Sequence, residues 1–351
     1  MRLGSSAPHI SYILPLRSAA PCTSGDLDAY VRWLAPRVEL IVVDGSAPAV
    51  FAEHAAAWGA LGTHVAPAPD LRTPMGKVGG VLTGVRLASH ERVVIADDDV
   101  RYDDDSLRRV VEVLDDADVA RPQNYFDPLP WHARWDTART LLNRMVGGDW
   151  PGTLAVRRSA LERTGGYDGT AMFENLELVR TVVAAGGREA LLLDTFVARR
   201  PSTTRHFWSQ RVRQAYDELA RPRRLIVQLA ILPAALAIGL RYGWHPLVAG
   251  TLGLIGIAEI GRRRAGAARV FPASATLLAP MWVAERAVCS WLAVASRVLL
   301  GGVAYNGTRL RHAATPMHEL RARHSAARVT HSRAQSRSQS QSHSTARHRS
   351  A

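Results

Sequence analysis

Three consecutive aspartates, Asp97, Asp98 and Asp99, directly follow the apolar run RVVIA. Carboxylates this close together repel one another and resist ionisation unless a cation compensates them. Side chains alternate along a strand, so Asp97 and Asp99 are expected to face one way and Asp98 the other. Two same-facing carboxylates suit a hard divalent ion that keeps other coordination positions for water and phosphate oxygens. The pattern favours a metal site over a run of exposed acids that cap the next helix.

Strands and helices alternate along the chain from His9 to about Leu193. Three segments are almost continuously apolar, as strands covered on both faces are: ISYILPL, VELIVVDGS and ERVVIADDD. Three others have apolar residues at helical spacing: DLDAYVRWLA, AVFAEHAAAWGAL and GGVLTGVRLAS. Strands that alternate with helices of this length predict a mostly parallel α/β sheet.

Polar residues stand where three of the predicted strands end. They are Arg17, Asp44 with Gly45 and Ser46, and the aspartates that begin at Asp97. Ligands on parallel sheets bind at the carboxyl ends of the strands, so a ligand site is expected where these ends converge. A second acidic run, from Asp103 to Asp105, precedes SLRRVVEVL and is typical of the first turn of a helix.

The charge balance is strongly basic, with 44 Lys and Arg against 31 Asp and Glu and a net charge of +13. The basic excess lies after about Arg199, beside apolar runs, and this placement favours a membrane surface over a nucleic-acid groove. No aromatic-basic stripe or recognition-helix pattern is present, so no nucleic-acid partner is expected. Cys22 and Cys289 match no metal-ligand spacing.

Two apolar stretches, about Leu225 to Leu240 and His245 to Ile260, are near the lower limit of the ~17 to 25 residues that span a bilayer. Arginines cluster before the first and after the second, which favours a two-pass hairpin with both ends in the cytoplasm. The unsignalled first half should also stay in the cytoplasm. A buried helical hairpin of a soluble domain is the alternative.

A third apolar stretch, about Ala275 to Val303, is interrupted by Glu285, Arg286 and Arg297. Charges near the middle of a membrane are costly, so an interfacial or re-entrant helix is expected there. Beyond about His312 the chain is rich in Arg, Ser, His and Gln and has too little apolar surface to fold. Three regions are thus predicted: a catalytic domain over 1–220, transmembrane and interfacial helices over 221–310, and a disordered basic tail over 311–351.

Several motifs occur together in the order seen in family 2 glycosyltransferases of the GT-A fold, and the chain resembles that family over about residues 9 to 220. They are HISYILPLRS, VELIVVDGSAP, GKVGGVLTGV, VVIADDDV, GTLAVRRSALERTGGYDG, FENLELV and SQRVRQ. The DxD element of the family matches Asp97 to Asp99, and FENLELV and SQRVRQ stand at its EDxxL and QxxRW positions. GGVAYNG is similar to the end of membrane-bound members.

The resemblance implies a donor site for a nucleotide sugar. Asp44 would accept from the uracil or ribose, and Asp97 and Asp99 would hold Mg²⁺ or Mn²⁺ on the diphosphate. Lys77 would help to hold the donor, or else is solvated in its loop.

The acceptor side of the site is implied by later motifs. Gln210 and Arg213 would lie near the diphosphate or the acceptor, although Arg213 has a second interpretation as a membrane-facing arginine. Trp150 either stacks on a sugar or anchors a turn.

Two residues depart from the family pattern. Asn175 stands after Glu174 where the catalytic aspartate is expected, and an amide cannot take a proton from a hydroxyl at neutral pH. Either Glu174 or Glu177 takes that task, another acid approaches (Asp149 or Asp168), or the acceptor is a phosphate that needs no base. Gln214 replaces the tryptophan of QxxRW, which weakens the case for a processive polymerase.

The expected function is an inverting, metal-dependent hexosyltransferase at the cell membrane. It would move a hexose from a nucleotide diphosphate sugar, UDP-hexose first, to a lipid or membrane-proximal acceptor. Transfer to a polyprenyl phosphate is one alternative. A non-catalytic membrane protein that binds a nucleotide sugar is another.

Overall fold

An eight-stranded sheet forms the centre of the computed structural model, which describes residues 9–305 and 307–326. The strands of this sheet are β1 (Ile10–Leu16), β2 (Glu39–Asp44), β3 (Thr63–Val65), β4 (Arg92–Ala96), β5 (Val100–Arg101), β6 (Val119–Phe126), β7 (Thr153–Arg157) and β8 (Glu189–Arg199). They lie in the order β3-β2-β1-β4-β7-β6-β8-β5. A separate hairpin pairs β9 (Val303–Tyr305) with β10 (Thr308–Leu310).

Most neighbouring strands of the sheet are parallel. β3, β2, β1 and β4 run in one direction, and β6 and β8 are parallel to each other. β7 is antiparallel to both β4 and β6, and β5 is antiparallel to β8. The predicted mostly parallel α/β sheet is confirmed.

The helices of the first half of the chain cover the sheet, and the last three helices come after its last strand in the sequence. They are α1 (Asp26–Leu34), α2 (Pro48–Trp58), α3 (Gly76–Leu87), α4 (Asp104–Glu112), α5 (Trp131–Val146), α6 (Arg158–Glu162), α7 (Glu174–Ala184), α8 (Thr204–Ser209), α9 (Arg211–Tyr216), α10 (Pro222–Tyr242), α11 (His245–Arg263) and α12 (Ala279–Leu299). The segments predicted as helices before residue 90 correspond to α1, α2 and α3. Asp103 caps α4, because its side chain accepts a 2.7 Å hydrogen bond from the Ser106 N–H group.

The central strands are apolar without interruption because both of their faces are buried. Tyr12 and Leu14 of β1 point into one hydrophobic core, and Ile13 points into a second core on the opposite face. Gly84 of α3 permits the close approach of that helix to β1, since a β-carbon there would lie 2.4 Å from Ile13 Cγ2. This packing fixes the ends of β1, β2 and β4 relative to α3.

α10 and α11 form a helical hairpin that turns at Gly243, where φ is +73°. The two helices contain the apolar stretches predicted over 225–240 and 245–260. Many of their large apolar side chains are exposed, among them Leu236 and Leu240 at 65% and 81%.

α12 lies against the α/β domain through its charged residues. Glu285 Oε2 accepts from Arg211 Nη2 at 3.0 Å, and Arg286, 2% exposed, donates to Gln214 Oε1 at 3.4 Å. Glu285 and Arg286 therefore bind α9, and Arg297 donates to the Arg311 carbonyl instead. Trp291 and other large apolar side chains of α12 remain exposed.

Two helical segments of the described chain are long and apolar enough to cross a membrane, Pro222–Tyr242 and Ala273–Leu299. Only 6% of the most apolar part of Pro222–Tyr242 is buried, against 39% for Ala273–Leu299. By these measures α10 and the α12 region, and not α11, are the candidate spans, so the predicted α10–α11 pair of spans is not the pair that the structure favours.

The predicted boundary of the tail at residue 311 is corrected by the contacts of the segment that follows it. Ala313, Ala314 and Leu320 are buried, and the Thr315 N–H group donates to Glu177 Oε2 at 2.6 Å. Burial and hydrogen bonding tie this segment to α7 and to the core beneath α9. The rest of the predicted tail, 327–351, lies outside the described residues.

Substitution of Gly261 by alanine should loosen the contact between α11 and α5. A β-carbon at Gly261 would lie 2.0 Å from the Leu141 carbonyl oxygen, and backbone cannot move aside as a side chain can. Overpacking of this kind costs about 1–3 kcal/mol, so the thermal unfolding midpoint of Gly261→Ala should fall below that of the wild type. Gly256→Ala is the matched control in the same helix, because no atom lies within 4 Å of its β-carbon position. Equal midpoints for the two variants would contradict this packing.

Candidate active site

A cleft of about 1010 Å³ opens where β1, β2 and β4 end, and we call it the first cavity. Arg17 follows β1, Asp44 ends β2 and Asp98 follows β4, and all three line it. Lys77, in the first turn of α3, and Tyr305 of β9 complete the polar part of the wall. The polar strand ends singled out in the sequence therefore meet at one cavity.

Asp44 is held in this cleft by three hydrogen-bond donors. Its Oδ1 accepts from the Ser46 N–H group at 2.8 Å, and its Oδ2 lies 2.7 Å from His54 Nδ1 and 3.2 Å from His64 Nε2. The Cys22 N–H group donates to His54 Nε2, so the proton of this imidazole is on Nδ1 and points at Asp44. Burial acts to raise the pKa of Asp44, but the bonds from Ser46 and His54 outweigh it, and the pKa lies below its ordinary value.

The ligand atoms of Asp44, His54 and His64 lie within 4.8 Å of one another and form a candidate metal site. A metal ion on His54 Nδ1 would move the imidazole proton to Nε2, where it would face the Cys22 N–H group. Two donors would then oppose each other at a buried position, which costs free energy. The hydrogen-bonded arrangement fits these residues better than a metal site does.

Asp97, Asp98 and Asp99 form a turn, because β4 ends at Ala96. Strand alternation therefore does not govern them, although Asp97 and Asp99 do share one partner. Arg199 at the end of β8 places Nη2 3.5 Å from Asp97 Oδ2 and Nε 2.8 Å from Asp99 Oδ2. Asp98 instead lines the first cavity.

The pair formed by Asp97 and Asp99 fits a divalent ion. Asp99 Oδ1 is buried and has no hydrogen-bond partner among the described residues. Burial raises the pKa of Asp99 and the neighbouring Asp97 adds to the effect, while Arg199 opposes both. Hard carboxylate oxygens with a free lone pair are suited to Mg²⁺ or Mn²⁺.

Lys77 joins this carboxylate pair to Glu174 at the start of α7. Its Nζ lies 2.5 Å from Asp97 Oδ1 and also contacts Glu174 Oε1. Burial would lower the pKa of the Lys77 ammonium, but Asp97 and Glu174 raise it well above its ordinary value. Lys77 is therefore a fixed positive charge at this point.

Another cavity, of about 230 Å³, adjoins the same charged residues, and we call it the second cavity. Asp97, Glu174 and Arg199 line it on the side of the first cavity. The opposite wall is one helical face whose residues recur at spacings of three and four: Gln210, Arg213, Gln214 and Asp217. The ion pair of Lys77 and Asp97 thus separates the two cavities, since Lys77 lines the first and Asp97 the second.

Trp150 also lines the second cavity and is anchored on two sides. The Arg121 guanidinium lies 4.1 Å from its ring centroid, and the Phe173 ring packs edge-on at 5.2 Å. Both predicted roles are compatible with this position, because the ring is anchored and yet reaches the cavity wall.

Comparison with known proteins identifies the family. The chain matches the family described as glycosyltransferase like family 2 over residues 27–217, which is more than half of its length. The chain belongs to this family. It is a glycosyltransferase, and the resemblance seen in the sequence is confirmed.

The fold of the glycosyltransferase is similar to that of mannosyltransferase PcManGT from Pyrobaculum calidifontis, solved with GDP-Man and Mn²⁺. The identity is 20%, the match covers 84% of this chain and 88% of that one, and the TM-score is 0.51. Mannosyl-3-phosphoglycerate synthase from Rubrobacter xylanophilus matches at 16% identity over 61% and 74% of the two chains, with a TM-score of 0.41. No curated protein matches the chain.

Asn175 of the glycosyltransferase stands where a catalytic aspartate was expected, and it makes two hydrogen bonds. Its Nδ2 donates to the Pro151 carbonyl at 3.0 Å, and its N–H group donates to Glu174 Oε2 at 2.7 Å. Glu174 is therefore engaged on both oxygens, by Lys77 and by this N–H group.

The other acids named as alternatives lie away from the second cavity. Glu177 is 0% exposed and binds Thr315. Asp149 is buried and accepts from Thr140 and Asn143 of α5. Asp168 accepts from Thr170 in a turn.

The QxxRW-like segment of the glycosyltransferase has partners for each polar side chain. Gln210 Nε2 contacts the ring of His206, and the Arg213 guanidinium lies 5.6 Å from the Tyr305 ring centroid. Burial lowers the pKa of Arg213. Gln214, in place of the tryptophan, accepts from Arg286 of α12.

Sequence reasoning missed His54, His64, Arg199 and Asp217. The histidines and Arg199 are far from their partners along the chain, so spacing gave no sign of them. Asp217 had a usable signal, because it stands four residues after Arg213 and so shares a helical face with it.

Asp44→Asn should destabilise the glycosyltransferase, because the new amide N–H group must face either Ser46 or a histidine donor. Loss of hydrogen bonds to a buried charge costs about 1.5–3 kcal/mol. The folded pKa of Asp44 is lowered, so its stabilisation is present above the unfolded value and is lost as the pH falls through the folded value. The deficit of the variant, measured by thermal unfolding, should therefore be constant between pH 5 and 8 and shrink below about pH 4. Asp70→Asn, at an exposed acid, is the control; an equal and small effect of both substitutions would contradict the role of Asp44.

Proposed function

We propose that the glycosyltransferase transfers a hexose from a nucleotide diphosphate sugar to a lipid or membrane-proximal acceptor, with UDP-hexose as the first candidate donor. The observation that carries this proposal is the meeting of two cavities at Lys77, Asp97 and Glu174. The larger cavity has room for a nucleotide sugar, and the smaller one adjoins the same charges. Two substrates held there would meet at one point.

The donor would lie along the larger cavity. Asp44, fixed by its three donors, would accept from the base or ribose, and Lys77 would bind diphosphate oxygens. Mg²⁺ or Mn²⁺ on Asp97 and Asp99 would neutralise the charge that develops on the leaving diphosphate. Arg199 contacts both carboxylates, at 3.5 Å and 2.8 Å, and would keep them close together around that ion.

The acceptor would enter from the second cavity. Its oxygen would form a bond to the anomeric carbon while the bond from that carbon to the diphosphate breaks, and the diphosphate would leave with the electron pair. Attack from the face opposite the leaving group inverts the anomeric centre. Gln210, Arg213 and Trp150 would orient the acceptor, since all three line this cavity.

A membrane location is supported by the exposed apolar residues of α10 and α12. Arg221, Arg223 and Arg224 precede α10 and begin it, and basic residues at this position favour a cytoplasmic end. We place the catalytic domain on the cytoplasmic face of the cell membrane, with more than one helix crossing. The acceptor would then be a lipid or a group held close to the membrane.

A polyprenyl phosphate is the second candidate acceptor. Arg213 in the second cavity favours it, because a guanidinium binds phosphate oxygens well. An ionised phosphate would also need no base, which agrees with Asn175.

Asp99→Ala should abolish metal-stimulated turnover. UDP-hexose and GDP-hexose hydrolysis, and transfer to extracted lipids, would be followed with and without Mn²⁺ for the wild type, Asp99→Ala and the exposed control Glu112→Gln. Stabilisation of a leaving group by one such charge is worth about 10²- to 10³-fold in rate, and the control should resemble the wild type. Undiminished turnover in Asp99→Ala would end the proposed metal role. Faster turnover of GDP-hexose than of UDP-hexose would change the proposed donor and leave the proposed site unchanged.

Charge on the exposed face of α10 should weaken membrane association. Leu236→Glu with Leu240→Glu places two carboxylates on a face now exposed at 65% and 81%, and a charged side chain at the centre of a membrane helix costs about 2.5–3.5 kcal/mol. Less of the variant should float with liposomes. Leu87→Glu, at an exposed leucine of α3, is the control, and unchanged flotation of the double variant would argue against insertion of α10.

A further inference from the structure

The second cavity needs a group that takes a proton if the acceptor is a hydroxyl. Its described lining includes three carboxylates, on Asp97, Glu174 and Asp217. Asp97 is bound to Lys77 and Arg199, and Glu174 to Lys77 and the Asn175 N–H group. Both carboxylates are therefore already engaged by charged or N–H donors.

Asp217 differs from the other two carboxylates in its surroundings. It directly follows α9 and continues the helical face that presents Arg213 to the cavity. Its Oδ1 is buried and has no hydrogen-bond partner among the described residues. Asp217 thus brings a carboxylate with a free lone pair to the wall of the second cavity, and such a group can serve as a general base.

The charges around Asp217 are mixed in sign. Arg221, from the segment before α10, and Arg286 of α12 favour its ionised form, whereas Glu174 of α7 and the adjacent Glu218 oppose it. Arg213 lies one helical turn earlier and interacts with it.

These surroundings set the proton affinity of Asp217. Burial is the largest influence, and with the acids it raises the pKa of Asp217 to about 7. The efficiency of a general base is greatest when its pKa lies near the working pH.

We propose that Asp217 is the catalytic base of this glycosyltransferase and that its acceptor is a hydroxyl group, an inference that rests on the proposed function. The acceptor O–H bond breaks toward the Asp217 carboxylate as the acceptor oxygen bonds to the anomeric carbon. The bond from that carbon to the diphosphate breaks, and the diphosphate takes the electron pair. Asp217 ends protonated and returns its proton to solvent.

The test compares Asp217→Asn with the wild-type full chain in detergent, using UDP-hexose and GDP-hexose. Three acceptors serve as probes: water, scored as donor hydrolysis, a diacylglycerol, and undecaprenyl phosphate. With water and diacylglycerol, kcat of the variant should fall by about 10²- to 10⁴-fold, while the donor Kd stays the same. The rise of wild-type kcat/KM through about pH 7 should be absent from the variant, because the base must be deprotonated to act.

Two measurements separate a lost base from a misfolded protein. Asp217→Glu should recover part of the hydroxyl-dependent rate. The thermal midpoint of Asp217→Asn should exceed that of the wild type above pH 7. The raised pKa means that the ionised Asp217 is disfavoured in the fold, so the wild type loses stability as the pH rises toward that value.

The possible results distinguish this inference from the proposed function. Wild-type rates and an unchanged pH profile for Asp217→Asn with water and diacylglycerol would overturn the role of Asp217 alone. Turnover only of undecaprenyl phosphate, by both proteins, would also overturn it and leave a phosphate acceptor. Absence of donor binding and hydrolysis in the wild type would overturn the proposed function and this inference together.

Discussion

The ion pair of Lys77 with Asp97 and Glu174 is the interaction on which the site depends. The ammonium lies where the ends of β4, α3 and α7 meet, and it holds two carboxylates that would otherwise repel each other. Arg199 does the same for Asp97 and Asp99 from β8. Residues from four separate elements are thereby fixed around one point between the first cavity and the second cavity.

A second set of buried charges ties the last helices to the catalytic domain. Arg211 lies between Asp136 of α5 and Glu285 of α12, at 2.7 Å and 3.0 Å. Removal of one partner would leave a buried charge uncompensated, which costs about 3–5 kcal/mol. Because α9 also carries Arg213 and Gln214, the position of α12 and the shape of the second cavity are linked.

Local patterns in the sequence predicted the parts of the fold that local physics controls. Uninterrupted apolar runs predicted β1, β2 and β4 because both faces of those strands are covered, and Asp103 predicted the start of α4 because a cap acts on its own helix. The contacts of Asp44 with His54 and of Asp99 with Arg199 depend on tertiary structure, and no spacing reveals them. The charges of α12 were read as a cost in a membrane, whereas the fold directs Glu285 and Arg286 toward α9.

We propose that the diphosphate of a nucleotide sugar binds between Lys77 and the pair formed by Asp97 and Asp99. The decisive experiment is a structure of the full chain with UDP and Mn²⁺. It should show Mn²⁺ bound to Asp97 and Asp99, the diphosphate beside Lys77, and the base or ribose near Asp44. Mn²⁺ bound instead to Asp44, His54 and His64, or a nucleotide outside the first cavity, would overturn this placement.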